Sequence, residues 1–123
     1  MSSYKLSFGT IKILEKNLAE VIVNEGVEMN VNSVGEFHEF LLNNLVAPIG
    51  LLINKKHSYT YTFDAQKTIV HLDEIKSMAV LATTSGSVMS TETLINVNGN
   101  IYRNFKLFQE RDEALVWLHK ELV

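Results

Sequence analysis

The residues with the most chemical capacity crowd into Lys55-Lys56-His57-Ser58-Tyr59-Thr60-Tyr61-Thr62, the longest polar and aromatic passage of the chain. Two amines beside an imidazole form a cationic cluster, a docking point for an acidic partner or an anionic head group. The structural reading of the same cluster is a solvated loop that keeps a strand end soluble. In an extended segment Tyr59 and Tyr61 share one side, with Ser58, Thr60 and Thr62 on the other. The two rings would then wall an apolar pocket, anchor a protein contact or cover the end of the core. A second passage, Thr83-Thr84-Ser85-Gly86-Ser87, stands between an apolar run and a helical pattern. Free N–H groups at such a helix start can take phosphate or carboxylate. The spacing and the lysine of a P-loop are missing, so the competing reading is local helix capping by hydroxyls.

Catalytic and metal chemistry find little support. A nucleophile needs a base within reach and an oxyanion stabiliser, and Ser85-Gly86-Ser87 does not form a G-x-S-x-G elbow. Ser58 follows His57 in sequence, which says nothing about facing in space. Of the four histidines, His38 borders a helical stripe, His57 lies in the cationic cluster, and His71 with Asp73 straddles Leu72. His119 is near a helix end, where a positive charge is favoured. No HExxH or His-x-His pattern is present, and with no cysteine there is no thiolate zinc site, disulfide or Cys nucleophile. The expectation is a protein without catalytic residues, metal or cofactor.

The elements that must position these passages follow from periodicity. Tyr4, Leu6 and Phe8, then Ile11 and Ile13, alternate with polar residues, which predicts one long strand bent at Gly9. After the turn Glu15-Lys16-Asn17, the β-branched stretch Leu18 to Asn24 completes a hairpin closed at Glu25-Gly26. Asn30 and Asn32 are candidate N-caps, Ser33 with Glu36 fits a capping box, and Val34, Phe37, Leu41 and Leu45 line one helix face until Pro48. Ile49 to Ile53 and Met78 to Ala82 read as buried strands, and Phe105 to Phe108 as the last strand. Asp64 is a candidate N-cap for a short helix that uses Ile69, Val70 and Leu72. A further helix is expected after Ser87, with Val88, Leu94 and Ile95 as apolar residues. The closing helix opens on Glu110, Asp112 and Glu113 and buries Ala114, Leu115, Leu118 and Leu122, with Trp117 beside them.

Strands alternating with helices predict parallel strands joined by right-handed crossovers, with the hairpin adding an antiparallel pair. In such sheets ligands sit beyond the carboxyl ends of the strands, near a switch in strand order. That rule selects Asn54 to Thr62, Thr83 to Ser87 and Gln109 to Arg111. The chain has 123 residues, 46% of them hydrophobic and 20% charged, enough for one domain over 1–123 and against disorder. A net charge of −3 gives no pull toward nucleic acid. The longest apolar run, Met78 to Ala82, is far short of a membrane span, and Lys12 interrupts the early apolar stretch that a signal peptide requires. A cytoplasmic protein is expected, with a homodimer through the N-terminal strand's edge a further expectation.

Three segments carry a family likeness. Gly50-Leu51-Leu52-Ile53-Asn54, then His57-Ser58-Tyr59, and the tail from Phe108 to Leu118 resemble the bacterial SpoIIAA-like proteins, small STAS-like domains related in shape to CRAL-TRIO lipid-binding domains. The resemblance implies an α/β fold with a mixed sheet of four to five strands, about four helices packed mainly on one side, and a regulatory or binding role without catalysis. The sporulation antagonists that name the fold carry a phosphorylated Asp-Ser-Ser-Gly element after the central strand. None follows Ile53 here, so no phosphorylation site is carried over to Ser58, Thr60 or Thr62. The expected function is contact with another protein at the C-terminal edge of the sheet. The alternative is a carrier or sensor of an apolar or amphipathic, lipid-like small molecule, with Tyr59, Tyr61 and Met89 near the mouth of its pocket. Either would use Asn54, Lys55, Lys56, His57, Ser58, Tyr59, Tyr61, Thr84, Ser85, Ser87 and Arg111.

Overall fold

Alternation in the first fifteen residues builds two strands. In the computed structural model, which describes residues 2–69, 72–83 and 105–122, β1 (Ser2–Lys5) and β2 (Gly9–Glu15) pair antiparallel, Ser2 opposite Ile13 and Lys5 opposite Thr10. The expected single strand bent at Gly9 is therefore a tight hairpin, closed by Leu6 N–H donating to Gly9 O at 2.8 Å. Gly9 is required for closeness: a Cβ there would overlap the Ile22 carbonyl oxygen and come within 2.9 Å of Val23 Cα. Those residues belong to β3 (Leu18–Val23), which pairs antiparallel with β2 across the Glu15-Lys16-Asn17 turn. The expected hairpin is thus a three-stranded meander.

From β3 onward every strand of the main sheet runs the same way. β5 (Ile49–Asn54) pairs parallel with β3, β7 (Ile75–Leu81) with β5, and β8 (Phe105–Phe108) with β7. The order is β1-β2-β3-β5-β7-β8, six strands rather than four or five. Two short strands, β4 (Glu28–Met29) and β6 (Thr60–Tyr61), form a separate parallel pair. Because β3, β5, β7 and β8 stand in chain order, the described strands show no switch point of the kind anticipated.

Monotonic order with one crossover hand puts the connecting helices on one face. α1 (Val31–Asn44) and α2 (Phe63–Thr68) both lie there: Val34, Phe37, Leu41, Ala65 and Ile69 share a core with Ile11, Val21, Leu51, Ile53 and Val80. α3 (Arg111–Glu121) follows β8 and covers the opposite face, burying Ala114 and Leu118 against Leu18, Leu52, Ala79 and Leu81. Trp117 lies against Phe108, ring centroids 5.6 Å apart. The helices therefore divide between the two faces, and β5, covered on both, buries Ile49 through Ile53 without a break. At about 1.5–3 kcal/mol per large side chain, this strand is the centre of the apolar stabilisation. The expected helix after Ser87, with Val88, Leu94 and Ile95, lies outside the described residues.

Asn30, one of the two expected N-caps, does cap α1, but its capping box and the cap of α2 differ from expectation by a few residues. α1 starts at Asn30, whose side chain accepts from Ser33 N–H at 2.9 Å, so Ser33 is the third helical residue of the capping box and Glu36 does not belong to it. Glu36 instead accepts from Ser7, tying α1 to the β1–β2 turn. α2 is capped by Thr62, which accepts from Ala65 N–H at 3.2 Å, while Asp64 sits in the first turn. The preceding strand delivers Thr62 in extended conformation, the backbone an N-cap requires. No helix among the described residues is long and apolar enough to cross a membrane.

Gly9 and Gly50 make a discriminating pair for this packing. A Cβ on Gly50 would meet only the flexible tip of Leu122, at 2.9 Å. Gly9→Ala should destabilise the protein by at least about 2–3 kcal/mol, because backbone must move, whereas Gly50→Ala should cost under about 1.5 kcal/mol. Urea unfolding midpoints of the two variants check the ranking.

Candidate functional site

The parallel strands end together, and backbone bonds lock their tips. Lys55 N–H donates to Leu81 O at 3.0 Å, and Ala82 N–H to Phe108 O at 3.0 Å. Asn54 and Lys55, Ala82 and Thr83, and Phe108 and Gln109 therefore stand side by side along one rim. The sheet cuts this rim in two, because successive side chains leave a strand on opposite faces. Asn54 goes with Leu52 to the α3 face; Lys55 goes with Ile53 to the α1/α2 face.

On the α3 face, Glu20 of β3 is buried in an otherwise apolar strand. Arg111 donates to its Oε1 at 2.8 Å and Asn54 Nδ2 donates to its Oε2 at 2.9 Å. Burial alone would raise the Glu20 pKa. The bonds from Arg111 and Asn54, with the charges of Arg111 and Lys12, outweigh it and hold the carboxyl below its usual range. The Arg111 side chain is 45% exposed against 4% for Glu20, so solvent reaches the guanidinium while the carboxylate stays covered. The bridge was not anticipated. Its one signal in the sequence is the lone acid in Leu-Ala-Glu-Val-Ile-Val, at a position facing the same way as Leu18.

On the other face, a cavity opens beneath the rim, walled among the described residues by apolar side chains including Phe8, Phe37, Met78 and Phe105. Among the described residues, Lys55, Tyr59 and Tyr61 bring polar side chains to it. Lys55 is 8% exposed, buried rather than part of a solvated loop, and its amine lies 4.7 Å from the centre of the Tyr59 ring. The Tyr59 and Tyr61 rings meet edge to face at 5.5 Å, with hydroxyls 3.4 Å apart. The anticipated common side of the two tyrosines is thus observed, and it faces inward. Burial pushes the Lys55 amine below its ordinary value. Burial and the neighbouring Tyr61 push Tyr59 well up, and burial raises Tyr61 as well. Free space in the cavity is about 30 Å³, room for a water molecule or two.

The floor on this side is the β4–β6 pair. Gly26 N–H donates to Ser58 O at 2.7 Å, Thr60 N–H to Val27 O at 3.0 Å and Thr62 N–H to Met29 O at 2.9 Å. Gly26 adopts a φ of 78°, which lets the chain turn into this ladder. His38 Nε2 donates to Ile69 O at 3.2 Å, linking α1 to the end of α2. Lys56 and Ser58 stay exposed and His57 half-exposed, on the outer side of the same segment. Thr84, Ser85 and Ser87 lie outside the described residues, as do His71 and Met89. His119 pairs with Glu15 at the far end of α3. Among the described residues no three acidic or histidine side chains gather as a metal site.

No protein-family model matches the chain, and no curated protein does. A solved structure does, along nearly the full length of both chains: an uncharacterized protein from the DUF3478 family with a SpoIIAA-like fold, from Shewanella loihica PV-4. It covers 96% of this chain and 98% of its own at a TM-score of 0.57 and 18% identity. The fold is SpoIIAA-like. The resemblance drawn from Gly50 to Asn54, His57 to Tyr59 and the tail from Phe108 therefore marks the architecture. In this SpoIIAA-like domain the central strand ends on Asn54 and continues into Lys55-Lys56-His57, and the Asn54 and Lys55 side chains serve opposite faces of the sheet.

Arg111→Gln should lower stability by about 1–3 kcal/mol at neutral pH, the cost of leaving the buried Glu20 carboxylate short of its strongest donor. Glu20's folded pKa is depressed, so its contribution is present above the unfolded value and lost as pH falls through the folded one. The gap between wild type and variant should therefore close in acid. Urea titrations across that range read it directly.

Proposed function

We propose that this SpoIIAA-like domain is a non-catalytic sensor that binds an apolar or amphipathic small molecule in the cavity beneath the strand tips. Occupancy would be reported through protein contact at the rim above. The observation that carries this reading is the convergence of Lys55, Tyr59 and Tyr61 inside an apolar wall. Placing an amine there costs desolvation that an aliphatic side chain would avoid. A few polar groups converging in an apolar concavity are the usual makeup of a ligand site. The free space is well below the roughly 300–1,000 Å³ of ligand pockets, so the occupant must displace side chains on entry.

A second reading keeps the rim and dispenses with the ligand: a regulator that acts by protein–protein contact alone. The same small void favours it, together with the outward placement of Lys56, Ser58 and Arg111 on a rim held rigid by backbone bonds. Buried Lys55 and Tyr59 would then be supports for that surface.

Native mass spectrometry of freshly purified protein separates the two. The sensor should carry a co-purified adduct of a few hundred daltons that is lost or reduced in the Tyr59→Phe/Tyr61→Phe double variant. A clean apo mass, with a partner crosslinked through Lys56 and that crosslink abolished by Lys56→Glu, would instead establish the contact-only regulator.

A further inference from the structure

We propose that the cavity is entered through its thinnest wall, by parting of the β4–β6 pair, which makes this short ladder the gate of the site. The inference rests on the small-molecule reading above and adds the route. With free space of about 30 Å³, a wall must yield before an occupant larger than water comes in. On the sheet side the lining residues belong to strands paired over four to six residues, β3 with β5 and β5 with β7, and α3 backs them. Phe37 and Ile69 belong to α1 and to the end of α2, which His38 ties together through Ile69 O. The β4–β6 pair is two residues long on each side. Met29 and Tyr61 line the cavity from it, while their neighbours Glu28 and Thr60 are exposed. Among the described residues, one layer of backbone thus separates the cavity from solvent at this point.

The ends of both segments are fixed independently of the ladder. Upstream, Asn24 N–H donates to Phe8 O at 2.9 Å and Lys55 N–H to Leu81 O at 3.0 Å. Downstream, Asn30 caps α1 and Thr62 caps α2 through bonds within each segment. Parting the ladder breaks bonds between the segments, such as Thr60 N–H to Val27 O and Ser58 N–H to the Glu25 carboxylate. It leaves the main sheet and both caps intact. A short ladder facing solvent opens locally at a small fraction of the free energy of global unfolding. Tyr59 and Tyr61, hydroxyls 3.4 Å apart, ride on one segment and move aside together, and the unbranched Met29 side chain repacks readily. The gap so formed is a slot, held at both ends, that leads into the cavity.

The chain has no cysteine, so a disulfide can be placed across the ladder without competition. Glu28 and Thr60 are exposed register partners, on strands about 4.8 Å apart and within the ~4.4–6.8 Å between Cα atoms that a disulfide spans. Stopped-flow fluorescence with N-phenyl-1-naphthylamine, a neutral apolar probe, reads entry into the full chain. Oxidised Glu28→Cys/Thr60→Cys should take up the probe at least about tenfold more slowly than wild type, and dithiothreitol should restore the rate. Ser3→Cys/Lys12→Cys, a crosslink between β1 and β2, which do not line the cavity, should leave uptake unchanged. Hydrogen exchange of the wild type decides the matter should the disulfide not form or the probe not bind. The Gly26, Thr60 and Thr62 amides should exchange at least about tenfold faster than those of Lys55 and Ala82. Equal exchange at the two sets, or equal uptake by the oxidised and reduced variant, would overturn the gate and leave the cavity reading standing. A wild type that takes up no probe and gives a clean apo mass would end both.

Discussion

Parallel pairing of β3, β5, β7 and β8 fixes everything that follows. Strands hydrogen-bonded in one direction must end on one edge, and the bonds from Lys55 to Leu81 and from Ala82 to Phe108 carry that alignment past the last paired residues. Residues as much as 55 positions apart in sequence, Asn54 and Gln109, are thereby brought to a common rim. Nothing in the local chemistry of Lys55 or Arg111 would place them there; the register does.

The sheet then acts as a partition. Asn54 and Lys55 are neighbours in the chain, yet one closes a buried carboxylate bridge under α3 while the other enters the cavity under α1 and α2. The two sides solve the burial of polar groups differently. Glu20 is satisfied by direct bonds from Arg111 and Asn54, a fully connected arrangement that ties β3, β5 and α3 together. The Lys55 amine lies over the Tyr59 ring, a cation–π contact that joins the end of β5 to the segment leading into β6.

Much of this architecture is legible in the sequence, for reasons that can be named. Unbroken apolar runs marked β5 and β7 because both faces are covered, and the 3.6-residue stripe of Val34, Phe37 and Leu41 marked α1. The parallel sheet and the convergence of strand tips followed from the order of elements. What local pattern does not encode is close approach and depth. Gly9 looked like a bend because its need for space comes from Ile22 and Val23, on another strand. The β4–β6 pair is two residues long on each side, too short for any periodicity to register. Lys55 looked solvated because Lys56 and His57 beside it are charged or polar, but its orientation is inherited from Ile53, two residues earlier on the same face. Glu20 was missed for the same reason: its partners lie 34 and 91 residues away.

The single tryptophan of the chain, Trp117, stacks near Phe108 on the α3 side of the sheet. Its indole emission thus reports the seating of the last helix and has no direct view of the cavity behind β5 and β7. Any change of that emission on filling the cavity would have to be transmitted through the strands themselves. The molecule therefore carries a native optical probe of communication between its two cores.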